Sequence, residues 1–415
     1  MKKVIFSLLF LLSQVSYGQW EAVNNGFINP IFIEQLGVKN NLLFAGTQYF
    51  GVYLSSDFGE TWMQKNTGLI GDIGLITDID LESVVRNLEI QGDNIWIKTR
   101  HLGENGATYN IFMSSNNGDT WVLKNSDLPR NNSGGVYVSN IRVNGDSIFV
   151  VDNLESGIHL STNNGDHWEQ VFSPLISVAD DIFFGKNCLF LYSKHHVMRS
   201  TDNGASWEIK ENGLDLTQLF FLNIKGDTLF AGFWGRGIYR STDLGETWEA
   251  KNSGLTMRDP RCCLIKDDII IIGTSAMYGP EGGVYVSTDG GENWVQKSSG
   301  LTNLWVTDLE TIGDYIFAST QDGGVFRAKL SDLTTDVKES EQASSNSIYP
   351  NPARDIINAA DYLGWEYQMY DLLGNNVQTG LVNSENINIS NLSAGFYTIR
   401  FFKEGKQEVK KLIKV

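Results

Sequence analysis

Four aspartates, Asp72, Asp78, Asp215 and Asp259, stand in the turn-rich segments between strand-like runs, where a carboxylate can act as an acid or a base. Glycoside hydrolysis takes two such groups, about 5 Å apart when one attacks the sugar and further apart when water does. Comparable segments carry Arg100, Arg130, Arg236 and Arg258, with Tyr49, Trp234, Tyr278 and Trp305. Aromatic rings stack on the C–H faces of sugars and guanidinium groups form paired hydrogen bonds, so these residue types suit a carbohydrate ligand. The alternative is that they are ordinary loop polars and packing aromatics. Nothing supports another enzyme class, since nucleophile-elbow, phosphate-loop and HExxH patterns are missing. The pair His195-His196 has no companion at metal-ligand spacing and is expected in an exposed loop. No metal and no cofactor are expected. Cys188, Cys262 and Cys263 sit among apolar residues and read as small hydrophobes, with a Cys188 bridge as the minor alternative.

An internal repeat supplies the elements that hold these segments. An octet recurs six times, first as Ser55-Ser56-Asp57-Phe58-Gly59-Glu60-Thr61-Trp62. It returns ending at Trp121, Trp168, Trp207, Trp248 and Trp294, with Asn116, Asn163, Asp202, Asp243 and Asp289 in the place of Asp57. An Asp or Asn there can bond nearby backbone N–H groups and hold a tight turn. Gly at the fifth position supplies a dihedral that a Cβ opposes, and the Trp buries a large apolar area between sheets. An apolar alternation such as Gly283-Val284-Tyr285-Val286 precedes each octet, and a strand-like segment with a turn follows. Upstream again lies a pattern such as Gly226-Asp227-Thr228-Leu229-Phe230-Ala231-Gly232. One unit is therefore four short strands, a to d, with the octet between c and d.

The ends give the count. Trp20 to Gly26 resembles a strand d with no octet before it, and Gly323 to Ala328 a strand c with no octet after it. Pairing the two leaves no open sheet edge. Seven units then share the 309 residues from Trp20 to Ala328, about 44 each, the length of a four-stranded propeller blade. The expected fold is all-β: a seven-bladed β-propeller over residues 19–333, closed by sharing one blade between both ends. Its d–a and b–c loops carry the polar and aromatic residues above, opposite the octets.

The octet resembles the Asp-box of the BNR repeat family. That resemblance implies a structural turn; calcium binding is disfavoured because each turn offers too few carboxylates. Asp-box proteins include sialidases, xyloglucan-type glycoside hydrolases, sortilin-like receptors and photosystem assembly factors. A sialidase needs three convergent arginines, but its N-terminal arginine motif is absent here, where the closest text is Phe27-Ile28-Asn29-Pro30. The xyloglucan hydrolases generally pair two propellers around a cleft, and one propeller would supply half of it.

Beyond Leu333 the texture changes. Residues 334–345 read as a polar linker, and residues 346–415 as short alternating strands of a small Ig-like β-sandwich. The runs Tyr349-Pro350-Asn351-Pro352-Ala353-Arg354-Asp355, Tyr370 to Val377 and Leu392 to Phe401, then the basic-apolar end Lys410 to Val415, closely resemble the type A C-terminal sorting domain of the type IX secretion system. The resemblance implies Sec export, passage through the outer membrane with the secretion machinery as partner, and removal of this domain, the product being released or attached to the cell surface. Residues 1–18 agree: Lys2 and Lys3 precede the apolar run Val4 to Leu12, and Ser16-Tyr17-Gly18 suits cleavage before Gln19. No later run is long enough to span a bilayer.

The net charge of −17 argues against a nucleic-acid partner. Residues 341–415 hold 7 Lys/Arg and 8 Asp/Glu, so −16 belongs to residues 1–340. Two functions stand: a secreted or cell-surface binding module for a polysaccharide or a surface protein, and a glycoside hydrolase using loop aspartates.

Overall fold

The computed structural model describes residues 18–28, 31–69, 84–103, 106–130, 136–152, 157–172, 179–185, 187–193, 196–277, 281–334, 348, 353–371, 375–403 and 406–414. The chain divides into two compact units, Met1–Thr335 and Asp336–Val415.

The first unit contains seven four-stranded antiparallel sheets, the blades of a propeller. Their innermost strands are Ile33–Lys39, Val84–Gln91, Val138–Asn144, Ala179–Phe184, Leu219–Lys225, Pro260–Lys266 and Val306–Ile312, which number blades 1 to 7. Blades 1 to 6 take consecutive strands, whereas blade 7 takes its outermost strand, Glu21–Ala22, from the N-terminal end. Glu21 lies opposite Arg327 and Ala22 opposite Phe326. The closure expected from the two orphan segments is therefore the one observed.

Outer strands of two residues, such as Met63–Gln64 and Val295–Gln296, are too short to hold a blade by ladder bonds alone. Side chains complete the pairing. Asn66 Oδ1 accepts the Val52 amide at 2.8 Å, Asn252 Oδ1 that of Ile238 at 2.8 Å, and Asn24 Oδ1 that of Val325 at 2.7 Å. Each octet then ties the sheet's lower end. In blade 5, Ser241 Oγ donates to Asp243 Oδ1 at 2.7 Å and accepts the Gly245 amide, while Asp243 Oδ1 accepts the Thr247 amide at 2.9 Å. Asn116 and Asn163 accept the equivalent amides, of Thr120 and His167, at 3.0 Å. Positive φ is needed at the fourth position as well as at the glycine: Phe58, Asn117, Asn164, Asn203 and Leu244 all adopt it. Asn tolerates that region through local hydrogen bonding, whereas Phe and Leu carry a cost of about 1 kcal/mol.

Apolar layers fill the seven interfaces between blades. One joins Phe44 and Leu54 of blade 1 to Val85 and Ile97 of blade 2; another joins Ile316 and Phe326 of blade 7 to Ile271 and Val286 of blade 6. Octet tryptophans fasten these layers, because the indole N–H groups of five of them reach a backbone carbonyl of the preceding blade. Trp62 donates to Val23, Trp121 to Lys65, Trp248 to Lys210 and Trp294 to Lys251, at 2.7–3.0 Å. Trp20 does the same to Lys297 at 2.7 Å, so the ring closes with the fastening it uses elsewhere. Cys188, Cys262 and Cys263 are free thiols. Burial pushes the Cys263 thiol up to about 12, in keeping with cysteines that act as small hydrophobes.

In the second unit, one sheet orders Asn376–Leu381, Glu366–Tyr370, Gly395–Lys403 and Lys406–Lys414, and a second pairs Ile356–Asn358 with Asn386–Asn388. Tyr362 stacks on Phe401 at 3.8 Å within a core that includes Met369, Ile387, Ile399 and Leu412.

Candidate functional site

Every inner strand of the propeller carries a β-bulge at the same height, near its upper end. The extra residues are Glu34, Arg86, Ser139, Asp180, Phe220, Arg261 and Thr307. A bulge swings one side chain out of the alternation, so seven residues of six different types stand at one level of the ring. Neighbours among them interact: Arg86 meets Glu34 at 3.4 Å, and the Arg261 guanidinium lies 4.0 Å from the Phe220 ring and 5.4 Å from that of Trp305.

Below this level charged side chains join successive blades. Arg142 of blade 3 bonds Glu89 of blade 2 at 2.6 Å and Asp181 of blade 4 at 3.0 and 2.5 Å. Burial raises the pKa values of Glu89 and Asp181, and the Arg142 guanidinium opposes the shift in both. On the far side of the sequence, burial lifts Asp308 to about 7 and Glu310 to about 8, the latter with a contribution from the Asp308 charge. These groups escaped the loop-centred sequence reading. Their signal was present as charges interrupting the apolar pattern of the first strand in each unit.

The loop residues separate into groups. In blade 5, Trp234 is 43% exposed at the tip of the b–c turn. Its amide donates to Gln218 O at 2.8 Å and its carbonyl accepts Thr217 Oγ1 at 2.7 Å, which pins the turn to the entering strand. Beside it Arg236 Nε meets Asp215 Oδ2 at 2.7 Å, both groups being exposed. Tyr239 lies beneath; burial raises its pKa, and the charges of Asp215, Arg236 and Arg258 all act on it. Asp215, Trp234 and Arg236 are thereby brought together, and the charge of Arg258 reaches the same Tyr239 hydroxyl. Asp259 is not part of that surface: it is 2% exposed, accepts Ser275 Oγ at 2.5 Å and pairs with Arg261 at 3.1 Å. Trp305 is half-buried against Arg261. Tyr49, in blade 1, meets Phe32 edge-on at 5.9 Å. Arg100 is half-buried in blade 2, and Arg130 is exposed where its backbone bridges Val136. Asp72, Asp78, Tyr278 and His195 lie outside the described residues. His196, expected in an exposed loop, instead begins a strand and meets Glu211 at 2.9 Å, because the third strand of blade 4 starts at that residue.

Among the described residues no cluster of three or more His, Cys, Asp or Glu could hold a metal ion. Nor is any described helix long and apolar enough to cross a membrane.

Residues 347–415 match the secretion system C-terminal sorting domain family, and residues 285–296 match the BNR/Asp-box repeat. The sorting domain marks the chain for export by the type IX secretion system to the cell surface or the extracellular space. No curated protein matches the sequence. Among solved structures, YCF48 bound to D1 peptide is similar at TM-score 0.55 and 18% identity, over 76% of this chain and 98% of that one. PorZ, a bacterial surface component of the type IX secretion system of Porphyromonas gingivalis, is similar at 0.53 and 12%, over 92% of this chain. A GH74 xyloglucanase from Xanthomonas campestris is similar at 0.55 and 15%, over 76% of this chain. The chain spans 59% and 54% of these last two proteins. At such identities the likeness shows the shared propeller fold.

Proposed function

We propose that this exported Asp-box propeller is a binding module, and that the upper face around blade 5 recognises a polysaccharide. The observation that carries the reading is Trp234, 43% exposed on a turn pinned at both its amide and its carbonyl, beside the exposed Arg236–Asp215 pair. A held aromatic face stacks on sugar C–H groups with little ordering cost, and a guanidinium–carboxylate pair offers donors and acceptors to hydroxyls. Two of the four aspartates considered as a hydrolytic pair already have partners: Asp215 in Arg236, and Asp259 in Ser275 and Arg261. In this reading the chain is cleaved before Gln19 on export and loses its sorting domain at the outer membrane.

Purified residues 19–415 incubated with neutral, acidic and sialylated polysaccharides test the proposal, with bound protein and new reducing ends read from the same wells. Binding without release, lost at least tenfold in Trp234→Ala with the fold intact, is the expected result. Release that disappears on an Asp→Asn change at 72, 78, 215 or 259 replaces this reading by a glycoside hydrolase. Silence in both channels overturns the glycan and turns the search to surface proteins.

A further inference from the structure

Basic groups concentrate between blades 2 and 3 of an otherwise acidic chain. Lys98 and Arg100 are two residues apart on the second strand of blade 2, so they share one face of that sheet, as does Trp96, which packs against Val138 and Trp168 of blade 3. Lys98 is 6% exposed. Its Nζ donates to the carbonyl of Ser139, the bulged residue of blade 3, and lies 5.5 Å from the centre of the Tyr109 ring. The acid that acts on it, Asp181, is already bonded twice to Arg142. Arg86, Arg100 and Arg142 all oppose its charge, and burial together with these charges brings its pKa down to about 7. Arg100 is half-buried, and its Nε is out of water with no hydrogen-bond partner. Tyr109 stands opposite Arg100 across the strand pair, and Tyr137 meets Tyr109 edge-on at 5.2 Å.

A buried cation without a carboxylate of its own, next to a second cation with an unsatisfied donor, is unfavourable in a way that an incoming anion relieves. We propose that the junction of blades 2 and 3 is an anion subsite, in which Arg100 and Lys98 receive one carboxylate of the bound glycan while Tyr109 and Tyr137 face its sugar ring. This inference rests on the glycan-binding reading and narrows its ligand to a chain containing uronate. The fork of a guanidinium matches the two oxygens of a carboxylate, and the ammonium adds a point charge. The net charge of −17 repels a densely charged polymer, which selects for an isolated uronate among neutral sugars.

The probe is a xylo-oligosaccharide bearing a single glucuronate, compared with its methyl ester by calorimetry on residues 19–415 at about 0.15 M salt, where surface attraction is screened. The acid is expected to bind at least tenfold tighter than the ester at pH 6. Its affinity should fall by up to about tenfold between pH 6 and pH 8, because Lys98 must take up a proton to meet the carboxylate while the uronate stays ionised throughout. Arg100→Gln should remove the preference for the acid over the ester. Lys98→Met should remove the pH dependence, and Arg100→Gln keeps the proposal testable if that variant does not fold. Equal binding of acid and ester, or a preference that survives Arg100→Gln, overturns the subsite while glycan binding stands. If neither compound binds, the subsite is overturned, and the polysaccharide panel decides separately whether the propeller binds glycans.

Discussion

Asp308 and Leu36 are 272 residues apart in sequence, yet Asp308 Oδ2 accepts the Leu36 amide at 2.9 Å. The bond joins the inner strand of blade 7 to that of blade 1, across the closure of the ring. Blade 2 makes the same bond to blade 3 with an amide side chain, Asn87 Oδ1 accepting the Ile141 amide at 2.6 Å. The bond therefore needs an acceptor and has no need of a charge.

A pH dependence follows. Burial raises the Asp308 pKa from 3.8 to about 7, so folding favours the protonated acid. The native state then binds a proton that the unfolded state releases, and stability from this group is complete below the ordinary carboxylate pKa and lost as pH rises to about 7. Asp308→Asn should leave the melting temperature nearly unchanged at pH 4 and raise stability at pH 8 by about 1–2 kcal/mol, since Asp308 is only half-buried and solvent tempers the full shift. Denaturant titrations at the two pH values check this. A loss at both would mean that the carboxyl group does something Asn87 does not.

The acid limb belongs to the octets and has the opposite sign. Hydrogen bonds from Thr247 and Ser241 hold Asp243 at about 2, and those from Ser206 and Ser200 hold Asp202 at about 2. Their contribution is present above the ordinary Asp value and lost as pH falls toward 2. Asp243→Asn should flatten part of the acid unfolding curve, as Asn116 and Asn163 already make their own turns independent of pH. Carboxyl carbon NMR titration should place the wild-type Asp243 midpoint near 2; an ordinary midpoint would remove the argument.

Two glycines with positive φ separate backbone strain from packing. A Cβ at Gly254, φ +85°, would stand 2.1 Å from the Trp294 carbonyl of the next blade, whereas at Gly313, φ +57°, it would meet nothing within 4 Å. Gly254→Ala should cost on the order of 2–4 kcal/mol and Gly313→Ala about 1 kcal/mol. Unfolding curves of the two variants measured side by side make the comparison, and equal losses would show that the blade contact carries no energy.

Removal of residues 346–415 should leave the propeller in the periplasm, because the sorting domain matched over 347–415 is what the type IX machinery reads. Fractionation of cells expressing the truncated chain tests this. Normal yield in the medium would sever the domain from export.

The octets, the blade count and the exchange of strands at the closure were legible in the sequence. Each turn is a local matter: Ser241, Asp243, Gly245 and Thr247 bond one another within one octet, and the same local constraints recur wherever the octet does. The orphan Trp20 segment was readable for the same reason, being a copy of a strand whose partner copy stood at the other end. Tertiary structure alone decided the polar interior and the site. Arg142 meets Asp181 and Glu89 across 39 and 53 residues, and Asp215 finds Arg236 while Asp259 turns inward to Ser275. Those partners come from different strands or blades and meet only because every inner strand enters the ring at one height with one bulge. Periodicity along a chain reports which face of a strand is apolar; which charge faces which is set by the closed ring that brings seven such strands around one axis.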